Sequence, residues 1–175
     1  MDEQDKLAGF EQCIMPHMNA AYNLARWLVG NDADAQDVVQ EAFLRAFKFF
    51  GGFRGGDGRS WLLRIVRNSF YDWLRRQDRP ELTTPFEEET HAPATEASGP
   101  DTALLEKADR ELVQQAIEAL PLEYREIVVM RELDGLSYKE IVDVADLPVG
   151  TVMSRLARAR AAAPGVGQTL AERMK

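Results

Sequence analysis

LSYKEIVDVADLPVGTVMSRLARAR, residues 136–160, decides the fold of the second half of the chain. Ser137 and Glu140 stand three apart at the head of an apolar-periodic segment, the pattern of a capping box. The short helix it opens turns Ile141 and Val144 inward. Asp146-Leu147-Pro148-Val149-Gly150 then breaks the chain before a second helix from Thr151. Two short helices joined by a few turn residues form a helix-turn-helix, whose second helix lies in the DNA major groove. In that second helix Val152, Leu156, Ala159 and Ala163 step by helical intervals and face inward. Thr151, Ser154, Arg155 and Arg158 fall on the opposite face. Arginine is bidentate to guanine, and hydroxyls reach phosphates or either base type. A helical hairpin with a solvated arginine face fits the same spacing. The capping box, the proline break and the helix-opening hydroxyl favour the reading helix.

Working outward, Pro121 can open a helix running to about Leu133, and Asp134-Gly135 turns the chain. Asp101 can cap an earlier helix that runs through Ala119. Residues 80–100 hold Pro80, Pro85, Pro93 and Pro100 and the acidic run Glu87–Glu89, a composition that predicts a flexible, extended linker. It separates residues 1–79 from residues 101–175. In 33–48, Val38, Val39, Ala42, Phe43, Ala46 and Phe47 form a core stripe, which Gly51-Gly52 ends. A glycine-rich loop, Phe53–Arg59, precedes a helix from Trp61 to about Arg76, with Ser60 as its N-cap and Leu63, Val66, Phe70 and Trp73 inward. No segment alternates as a strand does. The expected fold is all-α: two small helical domains, the C-terminal one carrying the helix-turn-helix and a tail.

The net charge of −8 argues against a nucleic-acid partner until it is resolved along the chain. Residues 54–79 hold seven arginines against three aspartates, and residues 137–175 hold six basic against four acidic side chains. Residues 1–53 carry four basic against eight acidic, and residues 80–136 four against fourteen. Exposed charges separated by more than about 10 Å are largely screened, so each basic island can act locally. On 61–76, Arg64, Asn68, Tyr71 and Arg75 share one face, mixed with the aromatic side chains of Trp61, Phe70 and Trp73. Cations and aromatics together suit single-stranded DNA. A core of aromatics under a solvated arginine face fits as well.

Other chemistries find no support. Cys13 is the single cysteine and has no partner for a disulfide or a zinc site. Gly55-Gly56-Asp57-Gly58 lacks the lysine of a phosphate-binding loop. His17 and His91 stand alone. The start of the chain is acidic and no long apolar run exists, which predicts a cytoplasmic protein with no membrane insertion, no cofactor and no metal, and not an enzyme.

Three motifs in order resemble the bacterial RNA polymerase sigma factors of the extracytoplasmic-function group. Asp34–Ala46 is similar to their core-polymerase-gripping segment, Trp61–Asn68 to their −10 reading helix, and Leu120–Arg160 to their −35 module. The resemblance implies that Asp37, Gln40, Glu41 and Leu44 bind core RNA polymerase. It implies that Asn68, with Arg54, Arg59, Arg64, Arg67, Tyr71, Arg75 and Arg76, serves the −10 element, and that the Phe53–Arg59 loop receives a flipped-out base. Thr151, Met153, Ser154, Arg155 and Arg158 take the −35 positions. Met153 stands where the family often has a basic residue. The implied function is promoter recognition and DNA melting with core RNA polymerase, with promoter DNA and an anti-sigma factor as further partners. A stand-alone helix-turn-helix regulator is the alternative. It explains 136–160 but gives 34–48 and 53–76 no purpose.

Overall fold

The computed structural model describes residues 2–77 and 101–164. The 80–100 linker and the tail beyond residue 164 lie outside the described residues. All regular structure among the described residues is helical. Four helices form the first unit: α1 (Glu3–Cys13), α2 (Met18–Val29), α3 (Asp32–Phe49) and α4 (Gly58–Arg76). Four more form the second: α5 (Asp101–Glu118), α6 (Leu122–Val128), α7 (Tyr138–Ala145) and α8 (Val149–Ala162).

The helix ends follow from local chemistry. Gly30, at φ 100°, ends α2 in a left-handed turn that a Cβ would strain. Asn31 then caps α3 by accepting the N–H of Asp34 at 2.9 Å. The head of α4 differs from the sequence reading. Asp57, not Ser60, is the N-cap, accepting the N–H groups of Arg59 and Ser60 at 3.0 and 3.3 Å. Ser60 lies inside the first turn and donates its hydroxyl to Asp57 at 2.6 Å. Pro121 likewise caps α6 from outside rather than opening it. The expected helix to Leu133 loosens into a π turn over Val129–Leu133, closed by the Asp134 N–H donating to the Val129 carbonyl at 2.9 Å. The capping box on α7 is present as read: Ser137 accepts from the Glu140 N–H, and Glu140 accepts from the Ser137 N–H.

The inward stripes make two cores. Leu24, Leu28, Val38, Leu62, Leu63, Val66 and Phe70 are buried between α2, α3 and α4. Phe10 of α1 seals one end, edge-on to Phe47 and Phe50. Ile117, Ile127, Met130, Leu136, Ile141, Val152 and Leu156 fill the second core. Trp73, expected inward, is half-buried at the margin of the first core beside Phe70, and Trp61 is half-buried against Phe50 and Phe53. The two units also touch: α4 packs on α7, and α2 on α6.

Gly58, buried under Cys13, fixes how α1 meets α4. A Cβ there would stand 2.4 Å from the Cys13 carbonyl oxygen, a backbone atom that cannot swing aside. Gly58→Ala should cost about 1–3 kcal/mol, as overpacking does. Urea unfolding reads this loss, and an unchanged midpoint would show that α1 slides freely over α4.

Candidate nucleic-acid interface

Three surfaces are built from the residues singled out in the sequence. The first lies on α2 and α3. Asp37, Gln40 and Leu44 project from α3 into solvent, Leu44 with 67% of its surface exposed, because Val38, Ala42 and Ala46 occupy the buried face. Gln40 and Leu44, but not Asp37, line an apolar groove of about 600 Å³ with Met18, Tyr22, Val39 and Phe43. The α2 wall of that groove was not read from sequence, since residues before 33 were given no helix. Glu41 is half-buried and faces α4, accepting from Arg45 of its own helix at 2.7 Å and from Arg76 of α4 at 2.9 Å.

The second surface is α4. Arg64 and Asn68 are exposed on it and, with Trp61, Ile65, Lys48, Phe49, Gly51 and Gly52, line a cleft of about 580 Å³. Arg54 is exposed on the preceding loop. Among the described residues Arg54 and Arg64 form no ion pair, so their charges are free to meet a phosphate.

The remaining α4 arginines are engaged. Arg67 donates through Nε and Nη2 to the Glu126 carboxylate at 2.8 and 2.9 Å, and the Glu126 side chain is only 1% exposed. The Tyr71 hydroxyl donates to the same carboxylate at 3.2 Å, while the Arg67 guanidinium lies over the Tyr71 ring. Burial, with the Glu126 charge adding to it, pushes the Tyr71 phenol up to about 12, so it is a donor at any physiological pH. Arg59 reaches Glu140 and the Asp134 carbonyl, both at 3.2 Å. Arg75 pairs with Asp72, which also accepts from Arg45 at 2.7 Å. Arg125 of α6 returns the contact, donating to the Trp27 carbonyl of α2 at 3.3 Å. Sequence reasoning misses Glu126 and Arg125, and reads Glu140 as a cap residue without its pairing to Arg59. The partners of these three lie 59, 98 and 81 residues away, and no spacing rule spans such distances.

On α8 the nominated residues gather as read. Thr151, Ser154, Arg155 and Arg158 line one groove with Glu123 and Tyr124 of α6, while Met153 points to solvent. Arg155 also lines a second cleft between the units, with Arg67, Asn68 and Tyr71. With Arg75 in the same lining, the structure brings one −35 candidate beside four −10 candidates and leaves the α3 groove apart.

Known proteins share this plan. The Sigma-70 region 2 family model matches residues 13–80, and the Sigma-70 region 4 model matches residues 110–162. The chain is 39% identical over 147 residues to the ECF RNA polymerase sigma-E factor of Escherichia coli, covering 80% of this chain and 77% of that protein. It is 34% identical over 158 residues to the ECF RNA polymerase sigma factor SigE of Mycolicibacterium smegmatis, covering 90% of this chain and 61% of that protein. The solved co-crystal structure of the sigma factor RpoE in complex with the anti-sigma factor NepR from Bartonella quintana matches with a TM-score of 0.72 at 25% identity, over 94% of this chain and 97% of that one. The structure of CnrH in complex with the cytosolic domain of CnrY matches at 0.63 and 27%, over 95% of both chains.

At the seam between the units one carboxyl is out of balance. Burial pushes Asp134 up to about 7 from an ordinary 3.8, with Arg59 pulling weakly the other way, and its Oδ2 is buried without a hydrogen bond. A carboxyl raised on folding holds its proton more tightly in the fold than in the unfolded chain. The contribution of Asp134 to stability is therefore fully present below about pH 4 and is lost as pH climbs through the window up to about 7. Asp134→Asn removes the buried charge, so it should add about 1–3 kcal/mol at pH 8 and nothing at pH 4. Thermal melts at the two pH values measure this, and an equal gain at both would trace the effect to packing instead.

Proposed function

Because this chain belongs to the extracytoplasmic-function group of RNA polymerase sigma factors, a family of non-enzymatic transcription initiation factors, we propose that it binds core RNA polymerase, recognises −10 and −35 promoter elements and promotes DNA melting. The observation that carries the reading is the separation of two surfaces. An apolar groove on α2 and α3, lined by Gln40 and Leu44 with Asp37 exposed on the same helix, suits a protein partner, whereas the arginine faces of α4 and α8 suit DNA. A stand-alone helix-turn-helix regulator has no use for the first. Glu41 serves the polymerase surface from its edge, through its ion pairs with Arg45 and Arg76. The domain division follows the same line: residues 1–79 carry polymerase and −10 binding, and residues 101–175 carry −35 binding. No helix among the described residues is long and apolar enough to cross a membrane, in keeping with action in the cytoplasm beside the polymerase. An anti-sigma factor is a further partner, by likeness to the RpoE–NepR complex.

In this reading the exposed Asn68 and Arg64, at the mouth of the α4 cleft, meet the unpaired −10 strand. Arg54, Arg75 and Arg76 supply phosphate contacts around it. Arg67, Tyr71 and Arg59 face the second unit instead, so their contact with DNA requires α4 to part from α6 and α7. Thr151, Ser154, Arg155 and Arg158 read the −35 duplex, with Arg155 leaving the cleft it shares with Tyr71.

Run-off transcription with core polymerase on a cognate promoter tests the whole reading, and specific duplex binding by the free chain alone would sink it. Asn68→Ala should lower open-complex yield while core binding stays intact. Arg155→Ala or Arg158→Ala should weaken −35 recognition by about 1–3 kcal/mol if a base contact is lost; unchanged promoter selectivity would remove both from the reading face.

Glu126→Gln keeps the shape of the partner but discards its charge. A hydrogen bond to a charged group is worth about 1.5–3 kcal/mol, so freeing Arg67 should raise the affinity of the isolated chain for single-stranded −10 DNA roughly tenfold. Fluorescence anisotropy reads that gain. Equal affinity would show that the Arg67–Glu126 pair does not compete with DNA.

A further inference from the structure

On α8 the solvent side carries two different rows. One holds the hydroxyls and arginines already described. The other is apolar: Val149 and Met153 each leave 51% of their surface exposed, and Ala157 extends the same line, each four residues from the last. Residues four apart on a helix lie one above the other, so the three make a continuous ridge. Nothing among the described residues covers it, because α8 meets its own unit through Val152, Leu156 and Ala159.

The surroundings limit what can cover it. Helix α8 holds no Asp or Glu and carries Arg155, Arg158 and Arg160, so its field draws in polyanions. The ridge runs beside Ser154 and Arg158, and whatever those residues grip also faces Val149 and Met153. In the major groove only one base offers an apolar group, the 5-methyl of thymine. Methionine suits such a contact, being unbranched and adaptable.

We propose that Val149, Met153 and Ala157 form a thymine-methyl reader, and that Met153 is the specificity-determining residue of this chain for an A·T pair in the −35 element. The inference rests on the assignment of α8 to the −35 duplex. A helix four residues long advances about 6 Å, so contacts by Val149 and Met153 fall one or two base pairs apart.

Uracil in place of thymine removes the methyl and keeps every hydrogen-bonding group. The holoenzyme, formed from core polymerase and the full chain, is first used to select its promoters from a random duplex library. Each −35 thymine of the selected sequence is then replaced in turn by uracil, and holoenzyme affinity is measured. Burying one methyl is worth a factor of about four, so the wild type should lose about fourfold at one or two thymines. Met153→Ala, at an exposed position that leaves the fold intact, should lose that sensitivity at one of them and bind thymine and uracil alike. Equal binding of uracil and thymine by the wild type would overturn the inference while leaving −35 recognition standing. Uracil sensitivity that survives in Met153→Ala at every thymine where the wild type shows it, or a Met153→Ala defect confined to core-polymerase binding, would also overturn it, the latter marking the ridge as a protein-docking face. Failure of the holoenzyme to select any −35 sequence would remove both readings.

Discussion

The pair between Arg67 and Glu126 is the constraint around which the two units are arranged. Glu126 is the one charged side chain among the described residues that is fully buried. Withdrawing a carboxylate from water costs several kcal/mol, and only close, well-directed partners recover it. Two donors from Arg67 and one from the Tyr71 hydroxyl meet that demand. All three come from α4, so the second unit has a satisfied interior carboxylate only when α4 lies against α6. The contacts of Arg59 with Glu140 and of Arg125 with Trp27 then fix the rotation of one unit on the other.

The same geometry explains how an acidic chain can carry cationic reading faces. Its excess carboxylates are placed against particular arginines, Glu126 on Arg67, Glu140 on Arg59, Asp72 on Arg75 and Glu41 on Arg76. Each such pair consumes donors that phosphate would otherwise take. The surface pairs are worth little, about 0–1 kcal/mol each, and phosphate can displace them readily. The buried pair differs, since breaking it without a replacement costs about 3–5 kcal/mol. In the proposed reading, competition between DNA and the chain's own carboxylates is concentrated at one residue, Glu126.

Much of this was legible in the sequence where the information is local. The stripe of Val38, Ala42 and Ala46, the capping box of Ser137 and Glu140, and the inward row of Val152, Leu156 and Ala159 all rest on spacings of three and four residues. Periodicity reads such spacings directly. The misread cap at α4 is instructive: Ser60 and Asp57 both have cap chemistry, and the choice is made by Gly58, whose missing Cβ lets the turn tuck under Cys13. The π turn after α6 was equally hidden, since its bond from Asp134 to Val129 depends on how Leu136 enters the core. Long-range pairs leave no local trace at all. Nothing near Glu126 in sequence announces a buried carboxylate, and Arg67 reads as one more solvated cation until α6 is set against it.

Where a helix surface is neither core nor paired, its chemistry is a statement about what it meets. Arg64 and Asn68 on α4 are polar and unpaired, so water satisfies them until a strand arrives. Val149 and Met153 on α8 are apolar and exposed, so water does not satisfy them, and an apolar surface gains by covering them. Both are consistent with one partner, because DNA offers phosphates and unstacked bases to the first and a methyl-studded groove to the second. In the proposed reading the exposed methionine belongs with the arginines beside it, the arginines attracting any duplex and the ridge favouring particular base pairs.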